Sequence, residues 1–122
     1  FTMGSSMGAL ISFSIVWNYP EIFKGGAGLS FPAFAYNSFI FDVAQKFSVY
    51  QDNFFYLDHG GQGQDSTYDG PVKDFITHLR NLGVQNNQIF YQTFPYAGHN
   101  EVDWSHRAYI PLLRFDLNDH KK

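Results

Sequence analysis

Apolar residues recur at helical spacing in three segments of the chain. Residues 7–17 carry four of them on one face, and Asn18, Tyr19 and Pro20 end this predicted helix: Met7, Leu10, Ile11 and Ile15. A second helix is predicted from Pro71, in its first turn, to Gly83, with Val72, Phe75, Ile76 and Leu79 on one face. Residues 102–117 form a third amphipathic stretch, which we expect Pro111 to bend or interrupt.

Three short apolar runs predict buried strands between these helices. Gly25–Leu29 combines small and apolar residues and is followed by loop-forming residues. Residues 54–58 are densely aromatic and lead through His59 into a glycine-rich run, which we expect to be a flexible loop. Ile89–Phe94 is the last predicted strand.

The alternation of strands and helices favours one α/β domain over residues 1–122. Segments of these lengths are typical of parallel βαβ units in an open, doubly wound, mostly parallel sheet with helices on both faces. The interval 31–51 is rich in aromatic residues without a clean period, and residues 39–47 fit a short helix. No internal repeat or domain linker interrupts the pattern.

Composition narrows the classes of partner and of chemistry. The 44% of hydrophobic residues is enough for a core, and the net charge of −3 is spread thinly, so we expect no nucleic-acid or membrane partner. The most apolar stretch is broken by Ser12, Ser14 and Asn18 and falls short of the roughly 18 residues of a spanning helix. Because the chain has no cysteine, disulfides, thiolate–zinc sites and a cysteine nucleophile are excluded.

The segment Gly4-Ser5-Ser6-Met7-Gly8 matches the G-x-S-x-G pattern immediately before a predicted helix. A turn this sharp between strand and helix requires nearly side-chain-free residues two positions before and after the serine, and it lifts the Ser6 hydroxyl out of the sheet. The N–H of Met7 then lies at a helix N-terminus, where it would bind a developing oxyanion. We therefore predict Ser6 as a nucleophile and Met7 as one oxyanion donor.

A serine nucleophile needs a base, and His99 is the strongest of the five histidines. It follows the last strand in the loop 95–98 and precedes a helix, which places it at the carboxyl edge of the sheet. His78 and His106 fall within predicted helices, and His120 lies in a charged tail. His59 is the other histidine at a strand end.

The base in turn needs a carboxylate, and the loop after the predicted strand 54–58 offers Asp58, Asp65 and Asp69. We favour Asp65, which lies past the glycines where the loop can bend toward His99, and leave Asp58 and Asp69 as alternatives. His59 with Asp58 and Asp65 also has the composition of a metal site, but we expect no metal and no cofactor.

Four pieces of the chain resemble the esterase family of α/β-hydrolases that includes esterase-D-like, feruloyl-esterase-like and enterochelin-esterase-like enzymes. They are Gly4-Ser5-Ser6-Met7-Gly8, Tyr19-Pro20-Glu21-Ile22-Phe23 with Leu29-Ser30, Tyr56-Leu57-Asp58-His59-Gly60, and Gly98-His99-Asn100-Glu101 with Trp104. The resemblance implies a serine esterase that acts on a small-molecule ester through an acyl-enzyme, with Ser6 as nucleophile and His99 as base. The loop from Gly60 to Asp65 is longer than the usual family pattern, so the acid is carried over less directly.

The resemblance covers the C-terminal half of such a fold. Only Phe1, Thr2 and Met3 precede Gly4, whereas a strand of about five residues is expected there. We therefore expect that the remaining strands and the second oxyanion donor lie upstream, and that the isolated chain is poorly soluble and nearly inactive. A serine peptidase of the prolyl-oligopeptidase kind and a non-catalytic binding module remain as alternatives.

Aromatic residues near these motifs have two interpretations. Phe31, Phe34 and Phe41 could line an acyl pocket, but aromatic side chains in such number usually pack in a core. Trp104 is likewise assigned to the core rather than to a substrate contact. We therefore predict packing roles for all four residues.

Overall fold

A computed structural model describes residues 1–34, 44–45 and 47–119. In these ranges the strands are β1 (Thr2–Ser5), β2 (Gly25–Leu29), β3 (Phe54–Gly60) and β4 (Ile89–Phe94). The α-helices are α1 (Met7–Asn18), α2 (Asp69–Leu82), α3 (Glu101–Arg107) and α4 (Tyr109–Asp119). Two short 3₁₀ helices, Gly63–Thr67 and Asn86–Gln88, complete the described elements.

The four strands form one sheet in the order β1-β2-β3-β4, and every neighbouring pair is parallel. The predicted α/β class and parallel sheet are therefore confirmed. The order follows the chain without a reversal, so these four strands do not themselves show the predicted doubly wound order. Because all strands point the same way, the segments that follow them meet at a single edge of the sheet.

Helices cover both faces of the sheet, as predicted. Alternate residues of β3 point to opposite faces, and Phe55 and Leu57 pack with α1 and α2 in the larger core cluster. Phe54 and Tyr56 face the other way, where they pack against Phe115 of α4. Burial of each large apolar side chain contributes about 1.5–3 kcal/mol. Because β3 places such side chains in both clusters, it lies at the centre of both cores.

The glycines of β2 allow α1 to approach the sheet closely. A Cβ on Gly26 would lie 2.9 Å from Val16 Cγ2, and one on Gly28 would lie 2.8 Å from the Cβ of Ala9. The helix itself is confirmed, but its core face differs from the face that the sequence singled out. Its buried residues are Ala9, Leu10, Ser12, Phe13, Val16 and Trp17. Met7 and Ile11 are exposed, because α1 is apolar on nearly every side.

The remaining helices follow the punctuation of the sequence. Helix α2 ends at Leu82, and its C-cap Gly83 has a φ of 121°, a conformation that residues with side chains rarely adopt. The third predicted helix is two helices separated at Ala108, and Pro111 lies in the first turn of α4, where its missing N–H is tolerated. The short helix predicted over 39–47 falls mostly on residues 35–43 and 46, outside the described ranges. Among the residues described, no helix has the length and apolar character needed to cross a bilayer.

Candidate functional site

Ser6 occupies the tight turn between β1 and α1. Its backbone has φ 57° and ψ −122°, a region that residues other than glycine rarely occupy. Such a conformation costs about 1–3 kcal/mol and persists where the surroundings hold it, here through a 3.0 Å bond from the Ser6 N–H to the Leu29 carbonyl. The turn leaves the Ser6 side chain partly exposed at the carboxyl edge of the sheet.

The two glycines that flank Ser6 are not equivalent. A Cβ on Gly4 would lie 2.5 Å from the carbonyl carbon and oxygen of Gly8, so only glycine fits at position 4. A Cβ on Gly8 would meet nothing within 4 Å among the described residues. The steric requirement that the pattern predicts is therefore confirmed for Gly4 and wrong for Gly8. The Gly8 backbone is what a side chain at position 4 would meet.

Ser6, His99 and Asp65 are brought together although they lie far apart in the chain. The Oγ of Ser6 is 2.9 Å from His99 Nε2, and His99 Nδ1 is 2.7 Å from Asp65 Oδ1. Because a carboxylate oxygen is an acceptor, Nδ1 carries the proton and Nε2 of the neutral ring is free to accept the Ser6 proton. The arrangement is a relay in which a hydroxyl proton can move to an imidazole that a carboxylate holds.

The loop that carries His99 is held at both ends. Before His99, the Gly98 N–H donates to Asp103 Oδ2 at 2.7 Å. After it, the Asn100 side chain caps α3 by accepting from the Asp103 N–H. The ring itself meets two aromatic edges, Tyr68 with a centroid distance of 5.9 Å and Trp104 at 5.1 Å. These contacts limit rotation of the imidazole before any substrate binds.

Asp65 lies in the 3₁₀ helix Gly63–Thr67 and is fully buried. Gly60, the last residue of β3, allows close packing: a Cβ there would lie 2.1 Å from the Ala97 carbonyl oxygen. Gly61 and Gln62 donate their N–H groups to that same oxygen, each at 3.0 Å. The loops after β3 and β4 are thereby joined backbone to backbone, which brings Asp65 to His99.

The two alternative acids have other partners. Both carboxylate oxygens of Asp58 bind Arg107, Oδ2 to Nε at 3.0 Å and Oδ1 to Nη2 at 3.1 Å. Burial raises the pKa of Asp58, and the hydrogen bonds and charge of Arg107 oppose that rise. Asp69 pairs with Lys73 at 2.8 Å, and this hydrogen bond, assisted by that from Tyr91, lowers the pKa of Asp69 to about 2. Of the three candidates, Asp65 is the one that contacts His99.

Of the histidines that the structure describes, His99 is the one that hydrogen-bonds to Ser6. His59 is buried, with Nε2 2.6 Å from the Tyr91 hydroxyl, and His78 Nε2 lies against the Ala44 carbonyl. His106 is exposed on α3, and His120 is outside the described residues. In the ranges that the structure describes, no group of three or more His, Cys, Asp or Glu side chains could hold a metal ion.

Three residues of the site were missed or assigned elsewhere from the sequence. Ser30, expected only to end a strand, binds Asp65, and Arg107, to which the sequence pattern assigns no role, donates to Ser30. Trp104, predicted to be core, is half-buried beside the His99 ring, with its Nε1 2.8 Å from Ser30 Oγ. The available signal was Asp58 itself, because a carboxylate in an apolar strand requires a buried cation as partner.

The aromatic residues divide between packing and exposure. Phe31 is fully buried in the core and stacks on Phe75, so its predicted packing role is confirmed. Phe34 is 41% exposed and meets Tyr68 edge to face, next to the ring that contacts His99. Phe41 lies outside the described residues.

Met7 stands beside Ser6 as the first residue of α1. The first N–H groups of a helix have no acceptor within it, so the Met7 N–H is directed toward the space at the helix N-terminus. Its side chain begins an apolar groove of about 440 Å³ along α1, which Leu10, Ile11 and Ile15 also line. Met7, the residue that follows Ser6, thus carries a backbone donor and begins an apolar groove.

Comparisons with protein-family models and with curated protein sequences gave no match to this chain. The chemistry is therefore assigned from geometry. That geometry consists of a strained, partly exposed serine, an imidazole and a buried carboxylate in hydrogen-bond contact, and a helix N-terminus beside them.

Proposed function

We propose that this chain carries the catalytic residues of a serine hydrolase of the α/β-hydrolase kind, with carboxylic esters as substrates. The observation that carries the proposal is the continuous hydrogen-bond path from Ser6 through His99 to Asp65, with distances of 2.9 Å and 2.7 Å. Distances in this range are those required between a nucleophile, its base and the group that orients the base.

In the proposed reaction the Ser6 Oγ attacks the ester carbonyl carbon while its proton moves to His99 Nε2. The tetrahedral intermediate collapses, the C–O bond to the alcohol breaks, and His99 returns the proton to the departing alkoxide. Water then attacks the acyl-Ser6 ester with His99 again taking the proton, and collapse releases the acid and restores the Ser6 hydroxyl. Asp65 remains ionised and stabilises the imidazolium that forms twice per cycle.

Charge on the carbonyl oxygen requires donors that are in place before the reaction. The Met7 N–H, at the start of α1, is one such donor, and the positive end of the helix dipole adds to it. Loss of a single oxyanion donor typically lowers kcat by about 100- to 1000-fold.

The order of the elements supports the α/β-hydrolase kind and the esterase resemblance. Ser6 lies between β1 and α1, Asp65 follows β3, and His99 follows β4 in an all-parallel sheet. This is the order Ser, Asp, His expected of that fold, in contrast to the orders of unrelated serine hydrolases. A prolyl-oligopeptidase-like enzyme has the same order, so peptide and ester substrates must be compared directly.

Ester hydrolysis by the full-length protein tests the proposal. Ser6→Ala should lower kcat/KM for p-nitrophenyl acetate by several orders of magnitude, because it removes the attacking oxygen. Ser5→Ala is the matched control, since it removes a hydroxyl one position earlier on β1, and its activity should equal that of the parent. Ester hydrolysis unchanged by Ser6→Ala would contradict the proposal, and cleavage of prolyl peptides in preference to esters would favour the peptidase.

A further inference from the structure

Ser30 lies at a junction between the candidate site and a buried ion pair. It follows β2, is fully buried, and has a φ of 50°, a left-handed conformation. Its Oγ is 2.5 Å from Asp65 Oδ2, 2.8 Å from Trp104 Nε1 and 3.0 Å from Arg107 Nη2. A single hydroxyl thus touches the acid, the indole beside His99 and the guanidinium that binds Asp58.

Because of its partners, the Ser30 hydroxyl can donate its proton to one acceptor only. A hydroxyl has one proton to donate and two lone pairs to accept with. The indole N–H of Trp104 and the guanidinium N–H of Arg107 can only donate, so both lone pairs of Ser30 Oγ are occupied. Its proton must therefore point at Asp65 Oδ2, which also accepts the Gly60 N–H at 2.7 Å.

Arg107 strengthens this donation. Its guanidinium is held in a plane by both oxygens of Asp58, which also accepts from the Tyr56 hydroxyl and the Ser30 N–H. A cationic donor on a hydroxyl oxygen polarises the O–H bond, and chains of hydrogen bonds in a buried site reinforce one another. Asp65 is thereby fixed by two donors on Oδ2, which leaves Oδ1 for His99.

We propose that Ser30 is a positioning residue for the proposed hydrolase: its Oγ–H, oriented by Trp104 and Arg107, holds the Asp65 carboxylate so that Oδ1 meets His99 Nδ1. This inference rests on the proposed function, because it matters only if His99 acts as a base. Ser30 is fully buried, and its Oγ hydrogen-bonds to Asp65, Trp104 and Arg107 rather than to Ser6.

Kinetics and NMR of Ser30→Gly in the full-length protein test this role. Glycine adopts a φ of 50° without strain, so the variant removes the hydroxyl while suiting the backbone, and Ser30→Ala removes it while keeping the Cβ. Ser48→Gly is the matched control, because its hydroxyl donates to the Trp17 carbonyl at the far end of α1 from Ser6. Thermal unfolding of each variant measures any loss of stability.

For both Ser30 variants we expect kcat to fall about 10- to 100-fold with KM nearly unchanged, the loss typical of a hydrogen bond to a charged group. The deshielded ¹H resonance of the His99 Nδ1 proton should shift or broaden, which a change in stability alone would not cause. Ser48→Gly should keep both the kcat and the resonance of the parent.

The contrary results separate this proposal from the proposed function. Parent-like kcat and an unmoved Nδ1 resonance in Ser30→Gly, with Ser6→Ala inactive, would overturn the role of Ser30 and leave the hydrolase proposal standing. A kcat that falls only in proportion to the unfolding temperature across all three variants would also overturn it. Activity that survives Ser6→Ala would instead remove the proposed function.

Discussion

Replacement of Arg107 by Met tests whether the buried ion pair supports the fold beneath the site. Asp58 is fully buried and Arg107 is 3% exposed, so the variant leaves a carboxylate without its cation in a nearly dry interior. Removal of one partner of such a pair costs about 3–5 kcal/mol, a large part of a domain's total stability of about 5–15 kcal/mol. In urea, with an m-value of about 2 kcal/mol per M, the midpoint should fall by about 2 M.

Two further variants give this measurement its controls. Arg114→Met makes the same substitution on α4, where the guanidinium lies over Phe90 at 3.9 Å, and should cost at most about 1 kcal/mol. Asp58→Asn combined with Arg107→Met removes both charges but keeps an acceptor for the Ser30 N–H, and should recover a substantial part of the loss. A loss below about 1 kcal/mol in Arg107→Met, or a double variant as unstable as the single one, would refute the reasoning.

The same variant should respond to pH in a defined direction. Burial already raises the pKa of Asp58, and removal of Arg107 takes away the main opposing interaction. The unfolded pKa of an aspartate is about 3.9. Below it, a carboxyl whose folded pKa is higher is protonated in both the folded and the unfolded state, and costs no stability. As pH rises above the unfolded pKa, ionisation favours the unfolded state and the fold is destabilised. The parent shares this loss until pH reaches its own folded pKa for Asp58, so the deficit of Arg107→Met relative to the parent should grow only above that raised value, by at most about 1.4 kcal/mol per pH unit.

Two other substitutions test the joint between the loops and the choice of acid. Gly60→Ala places a Cβ 2.1 Å from the Ala97 carbonyl oxygen, so it should cost about 1–3 kcal/mol and most of the proposed esterase activity. Gly70→Ala, whose Cβ meets nothing within 4 Å, should be neutral or stabilising by urea unfolding. In hydrolysis of p-nitrophenyl acetate, Asp65→Asn should lower kcat by about 10⁴-fold. Asp69→Asn should keep parent activity in that assay, because the Asp69 carboxylate binds Lys73 and not His99. Equal losses in Asp65→Asn and Asp69→Asn would contradict the assignment of the acid.

Much of the fold could be predicted from local patterns. Gly25–Leu29 and Ile89–Phe94 are strands with the predicted bounds, because each is a short apolar run between residues that interrupt a strand. Helix α2 ends at Leu82 with Gly83 as its C-cap, as the apolar periodicity and the glycine indicate. These features depend on neighbours in the chain, which a single sequence displays directly.

What could not be predicted depends on contacts between distant residues. The role of Ser30 is set by Asp65, Trp104 and Arg107, up to 77 positions away, and nothing beside Ser30 in the sequence indicates them. The glycines from Gly60 to Gly63 predict a flexible loop, but glycine marks both mobile loops and close backbone approaches. Only the packing against Ala97 distinguishes the two meanings.

The candidate site shows the same division. From the sequence alone, the position of Asp65 beyond the glycines favours it as the acid. Asp58 and Asp69 are excluded only by their partners in the structure, which are Arg107 and Lys73 respectively. Similarly, the apolar residues of α1 indicated a helix without revealing its buried face, because apolar side chains surround it.

Covalent labelling of the full-length protein by a fluorophosphonate, with the modified residue identified by mass spectrometry, tests the central claim most directly. The 2.9 Å contact with His99 should make Ser6 the labelled residue, and His99→Ala should slow the labelling by orders of magnitude. Absence of labelling at Ser6, or labelling that proceeds equally fast without His99, would contradict the claim that this serine is an activated nucleophile and would favour a non-catalytic binding module.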